Sequence, residues 1–438
     1  MLILVSGLLI VSGITQLNNA TRANMLPDQV VDQYYEHQTR NISSSLIDQA
    51  INSLLVDMEW EGTITTDENY EGTGTLTTSP DPSDPLNPFK ILLTSTANFG
   101  GYESEIEVLM NRDSFSKYSY FTDEEKLPSG TNIWWWNGDE VTGPVHTNGT
   151  FRIAGTPNFN GFVSSPNDWI GYTGDKDSND PDERHGSDSP NFNEGANFNM
   201  NRSIDLPSSD QIDELSTLAA AGGITFDEDA EIEFFVDSGE GYLKHFEEET
   251  VNCGWGCSYT VVNETDYLLS DYNGIISVDG DVKVKGTIKG RVTLHSTDDI
   301  EIMGDVKYDT SPIDDGNSTD MAGFVSEGDV VVDRYAHDDT GSNDINIHAS
   351  IMALGNSFKV ENYSYGGSRG TINLLGGIIQ KNRGAVGTFS GGSVASGYNK
   401  NYVYDTRLRN TVPPSFPRES IFSIVYWKDK PVEHPVSN

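Results

Sequence analysis

Between residues 274 and 309 apolar side chains fall on every second position for a few residues, stop at a glycine or an Asp-Gly pair, and resume. Val282 and Val284 are followed by Ile288, by Val292 and Leu294, by Ile300 and Ile302, and by Val306. A period of two puts one face of a strand in a core and the other in water. Runs this short that keep recurring predict strands stacked in rungs, each covering its neighbour's apolar face. The beat returns at 323–333, 345–355 and 370–380. The expected fold is mainly β: an irregular parallel β-helix (solenoid) over 267–397, with no fixed rung length. An antiparallel sandwich also alternates and stays the alternative.

Upstream the period changes. Residues 1–14, MLILVSGLLIVSGI, are apolar and uncharged. As a helix they would span roughly 21 Å, short of a ~30 Å hydrocarbon core. They read as the start of a longer membrane helix, or as a weak signal peptide. After Pro27, residues 29–59 take up helical spacing. Ile42, Leu46, Ala50 and Leu54 lie four apart, and Ile47, Ile51, Leu55 and Met58 form the adjacent stripe. Strands are expected at 71–80 and 90–112, the latter turned at Phe99-Gly100-Gly101-Tyr102. The expected layout is a helix packed on a small antiparallel sheet. A second helix is expected within 203–221, with Ile212, Leu215, Leu218 and Ala219 on its apolar side and Gly222-Gly223 stopping it. Residues 421–427, IFSIVYW, read as a last strand.

Three blocks carry a family resemblance. The apolar start with Pro27 and YYEHQTRNISSSLIDQAINSLL resembles the N-terminal region of minor-pilin-like pilus-assembly proteins. GPVHTNGTFRIAGTPNFNGFVSS (143–165) is similar to an uncharacterised β-rich surface domain, and YDTRLRNTVPPSFP (404–417) resembles the segment that ends such proteins. The family's basic-glycine leader and the glutamate after it are not among these residues, so upstream residues missing from the chain are an expectation. The resemblance implies a filament-associated surface protein and no enzymatic activity. With it the chain divides into an anchor segment (1–26), a pilin-like helix with a small antiparallel sheet (27–124), a β-rich surface domain with an acidic insertion and a cysteine loop (125–266), the solenoid (267–397) and a closing segment (398–438).

Charge narrows the partners. Sixty-seven Asp and Glu against 27 Lys and Arg give a net charge of −40, which repels nucleic acid and anionic head groups. Cys253 and Cys257, in CGWGC, pair most simply as a disulfide in a secreted chain. Closing so small a loop is worth only about 2 kcal/mol. A free or metal-binding pair is the other option, although a structural zinc would need two more ligands.

Candidate chemistry is sparse. Asp175, Asp177 and Asn179 have the 1-3-5 spacing of a calcium loop, but Asp180 and Gly186 stand where glycine and a bidentate glutamate belong. Calcium is the one cofactor considered; a solvated acidic insertion is the plainer option. The run Trp134-Trp135-Trp136 alternates faces, so at least one ring is expected in solvent, either packed under a loop or offered as a sugar-stacking platform. His146 is expected to bond the next rung, and Gly366–Gly370, a G-x-S-x-G, to be a turn between rungs, since a strand follows it and not a helix. Lys283, Lys285, Lys289 and Arg291 are expected to scatter outward.

No catalytic residue stands out. The expected function is a non-catalytic structural or adhesive protein of the cell envelope or cell exterior, associated with a type IV pilus-like filament or its assembly machinery. Its expected partners are filament subunits or envelope components, the membrane through the N-terminal helix, and a glycan or surface ligand. The alternatives are a secreted β-helix carbohydrate-active enzyme (polysaccharide lyase or hydrolase) and a calcium-stabilised surface protein.

Overall fold

The computed structural model describes residues 28–434 except 67–71, 86, 174–175, 179–186, 255–256 and 391–392, with 28–29, 176–178, 249–254, 257–259 and 339 described by backbone alone. The described chain is mainly β, with two α-helices and no closed barrel. It divides into two units, one made of Met1–Asp113 with Ile421–Asn438 and the other of Ser114–Ser420. The expected anchor segment, 1–26, lies outside the described residues. Among the described residues no helix is long and apolar enough to cross a membrane.

In the first unit helix α1 (Asp28–Val56) lies on an antiparallel sheet. The strands run in the order Thr63–Thr65, Thr73–Pro80, Lys90–Phe99, Tyr102–Ser114 and Arg418–Asp429, so the chain's last strand completes its first sheet. Leu46, Ile47, Ala50 and Leu54 are buried against Leu76, Ile91, Leu93, Ile106, Val108 and Met110. The line four residues apart is the buried one, as its spacing predicts. Its neighbour is not buried throughout: Leu55 is exposed. At 3.6 residues per turn each step of four drifts by about 40°, so a second line soon leaves the sheet. Gly100 and Gly101, with φ of 65° and 90°, make the two-residue turn expected between Phe99 and Tyr102.

The second unit is built on parallel pairing. One row of facing residues runs Ile224, Ile276, Leu294, Phe324, Ile351, Ile378, Tyr120, Val145, Val163 and Ala196. Another runs Val306, Ile347, Leu374, Tyr402, Val141, Phe159 and Phe192. A third runs Ala230, Val282, Ile300, Val330 and Phe358. Most of these side chains belong to one continuous buried core. Antiparallel hairpins interrupt the pattern between Ala230 and Leu268.

The order of the rows is not the order of the chain. Residues 120–198 fill one end of the stack, and residues 224–378 return from the far end until Ile378 meets Tyr120. Two neighbouring glycines allow that meeting. A Cβ on Gly376 would stand 1.9 Å from the carbonyl oxygen of Ala349, and one on Gly377 2.1 Å from that of Tyr118. Both flanking strands therefore approach closer than any side chain permits. Helix α2 (Ser209–Gly222) packs Ile212 and Leu215 onto the outer side of the first row, against Val325, Met352, Ile379 and Phe121.

Along one edge of the third row the aspartates stack. Asp281, Asp299 and Asp329 each donate their backbone N–H to the carboxylate one rung back, on Asp229, Asp281 and Asp299, at 2.9, 2.9 and 2.6 Å, and Ser357 donates to Asp329 at 2.8 Å. These four aspartates thus serve as acceptors for backbone N–H groups at the rung ends.

Candidate functional site

Where residues 358–402 meet residues 120–141 there is a pocket of about 440 Å³, within the usual range for ligand sites. Its rings are Trp134, Trp135, Trp136, Tyr120, Phe358, Tyr363, Phe389 and Tyr402. Trp135 and Trp136 form a two-residue strand beside Ile153 and Ala154, so the tryptophans alternate sides. Trp135 is buried, with its ring 5.7 Å from Phe151 and 5.2 Å from Phe159. Trp134 and Trp136 are half-buried, and none of the three stands out in solvent as expected. Trp136 leans on Phe389 at 4.7 Å.

Charged groups line the pocket's inner side. Arg383 is 2 % exposed. Its guanidinium donates to Glu125 at 2.8 Å, lies 3.9 Å from Asp139 and sits 3.8 Å above the Trp135 ring. Burial works against that charge, yet Glu125, Tyr120 and Asp139 together hold its pKa above the ordinary value. Lys400 donates to Asp139 at 2.6 Å and lies over Phe389. Burial lowers its pKa, against the pull of Asp139. Asp139 also accepts the backbone N–H of Trp136 at 3.0 Å, which fixes the tryptophan strand to the charges. Gln380 donates to the Tyr120 hydroxyl at 2.8 Å and accepts the N–H groups of Phe358 and Gly384. Burial raises the Tyr120 pKa, so the phenol keeps its proton. Both carboxylates are paired with buried cations, Glu125 with Arg383 and Asp139 with Lys400.

A second concavity, of about 900 Å³, runs over the outer side of the third row. Lys283 faces outward there, as expected, but it does not scatter: it shares the groove with Glu231, Glu301 and Lys359. Burial raises the pKa values of Asp299 and Glu301 along it. Lys289 pairs with Asp309 at 2.7 Å elsewhere.

His146 bonds Ser164, on the next rung, at 2.8 Å, as its strand position predicts. Burial lowers its pKa to about 4. Gly366 and Gly367 lie in the turn expected for the G-x-S-x-G, but Ser368, Arg369 and Gly370 already belong to the strand Ser368–Asn382. The calcium candidates Asp175 and Asn179 and the side chain of Asp177 lie outside the described residues, as do the side chains of Cys253 and Cys257. The two cysteines fall in the strands Glu240–Gly254 and Cys257–Leu268, paired antiparallel with Gly254 opposite Cys257. Among the described residues no three His, Cys, Asp or Glu side chains gather as a metal site.

Sequence reasoning missed Glu125, Asp139, Arg383 and Lys400. Arg383 and Glu125 are 258 positions apart, and no local pattern marks them. Only the tryptophan run pointed to this place.

A family model for a domain of unknown function, DUF4900, matches residues 94–167. It takes in Tyr120, Glu125, the three tryptophans and Asp139, and leaves out Arg383 and Lys400. No curated protein matches the sequence. Among solved structures the competence-associated pilin ComZ from Thermus thermophilus is similar, at 12% identity over 92% of this chain and 97% of that one, with a TM-score of 0.35. So loose a likeness does not carry a shared fold.

Proposed function

We propose that this chain is a non-catalytic cell-surface protein of a type IV pilus-like filament or its assembly machinery. Helix α1 and its sheet are the pilin-like part that joins filament subunits, with the apolar first residues as membrane anchor. The parallel rows form an irregular β-solenoid that presents the pocket to an external ligand. The observation that supports this most is the burial of Leu46, Ile47, Ala50 and Leu54 along an antiparallel sheet, directly behind an apolar stretch.

Shearing the surface filaments from producing cells and probing them for the chain tests the proposal. The chain is expected in the sheared fraction and in the envelope; recovery only from the cell interior overturns it.

The rival enzyme reading has support of its own, because acids and bases converge in the pocket and again beside Lys283. Turnover of any polysaccharide by the purified chain would replace the non-catalytic reading with that one.

A further inference from the structure

We infer that the pocket takes a neutral pyranose ring of an oligosaccharide, held between its aromatic wall and its charged inner side. The inference rests on the surface-binding reading above.

Charge decides the ligand class first. The chain carries −40, so an anion is repelled on approach. Both cations in the pocket are already paired, Arg383 with Glu125 and Lys400 with Asp139, so neither offers an unmatched positive charge. A cationic ligand would need free aromatic faces. Three cations already lie on the pocket's rings, Arg383 over Trp135, Lys400 over Phe389 and Arg152 over Trp134, so a further cation on this wall meets like charge. A neutral ligand remains.

Its polarity follows from the pocket's inner side. A wholly apolar occupant would bury Lys400 and Asp139 with bonding capacity unused. An ammonium has three donors and Lys400 gives one to Asp139. Covering polar groups without replacing their bonds is costly. A sugar avoids that cost, because its hydroxyls both donate and accept. Its C–H face packs on the half-buried Trp136 ring, which leans on Phe389 at 4.7 Å.

The test uses the full chain with three probes: neutral cello-, malto- and chito-oligosaccharides, oligogalacturonate as anion, and tetramethylammonium as cation. Tryptophan emission and calorimetry read the binding. At least one neutral oligosaccharide is expected to bind saturably, and Trp136→Ala to weaken it by about tenfold or more. Phe389→Ala is the second variant, and thermal melting checks that both fold. Binding of the anion or the cation in its place, binding untouched by either substitution, or no binding of any neutral probe overturns the inference. Filament recovery of Trp136→Ala is read separately. If wild type and variant both reach the filaments while no sugar binds, the sugar inference alone has failed; if neither reaches them, the filament reading has failed.

Discussion

Rungs between Ile275 and Ile378 fill their interior mainly with Val, Ile and Leu, with Tyr308, Phe324 and Phe358 as the rings among them, whereas rungs between Tyr120 and Phe198 hold Tyr120, Trp135, Phe151, Phe159 and Phe198 beside Val141, Val145, Ile153, Val163 and Ile170. The strands differ in length as well. Ile300–Tyr308 and Ile345–Ala353 are nine residues each, but Val145–Thr147, Asn158–Asn160 and Val163–Ser165 are three. A three-residue strand sends only one or two side chains inward; Asn158–Asn160 fills that place with the Phe159 ring, whereas Val145 and Val163 fill it with a branched chain. Rings pack less evenly than branched aliphatics. Where the two kinds of rung meet, the pocket opens beside Phe358 and Trp135.

Arg383 is the strongest place to break that junction. Arg383→Ala leaves Glu125 buried without its cation, while Asp139 keeps Lys400, and a loss of about 3–5 kcal/mol is expected. Urea unfolding measures it. Arg383→Lys keeps the charge and is expected to recover part of the loss. A midpoint unchanged by both would mean that the two halves are not held together by this cluster.

The aliphatic half was legible in the sequence and the aromatic half largely was not. Val282, Val284 and Ile288, and Ile300, Ile302 and Val306, announce their two strands because several inward positions in step fit on each run. Phe159 sits alone between two asparagines and gives no period. The closure of Ile378 on Tyr120 leaves no local trace, since its partners are far apart in the chain. His146 could be placed because a histidine flanked by strand residues has few other roles. The four charged groups of the pocket could not, because their meaning comes only from the fold.

Paired core substitutions sharpen the contrast between the halves. Leu294→Ala empties space in the aliphatic half and is expected to cost about 2–5 kcal/mol. Phe159→Leu in the aromatic half exchanges a ring for a branched chain and is expected to cost less, about 1–2 kcal/mol. If Phe159→Leu proves the more costly by urea titration, the aromatic rungs are the more finely fitted half.

The aspartate stack belongs to the aliphatic half alone. Asp281→Ala removes the acceptor for the Asp299 N–H at 2.9 Å and is expected to cost about 1–3 kcal/mol. Asp281→Asn keeps an oxygen there and is expected to restore most of it. Equal losses from both would show that the negative charge matters more than the bond.

One histidine in each half offers the finest comparison. His146 bonds Ser164 at 2.8 Å and His295 bonds Ser277 at 3.0 Å, each through Nδ1 to a neighbouring rung. Burial lowers both pKa values, each to about 4. The Asn148 hydrogen bond pulls the first upward against a smaller downward push from Lys117, and Asp213 pulls the second upward. In the unfolded chain a histidine takes up its proton near pH 6.5. The unfolded state therefore binds more protons between about 6.5 and about 4. The stabilising contribution is whole above that window and is lost as pH falls through it, by about 1.4 kcal/mol per pH unit for each histidine at most. The raised carboxyls of Asp299, Glu301 and Glu327 act in the opposite sense, gaining stability as acid protonates them. Urea midpoints at pH 7, 6 and 5 should fall for the wild type and fall less steeply for His146→Gln and for His295→Gln. The flattening should be similar for the two variants, since both pKa values are lowered to about 4. Identical slopes in all three proteins would mean that neither ring stays unprotonated in the folded state, and the shared rung-to-rung bond would then have to be a charged one.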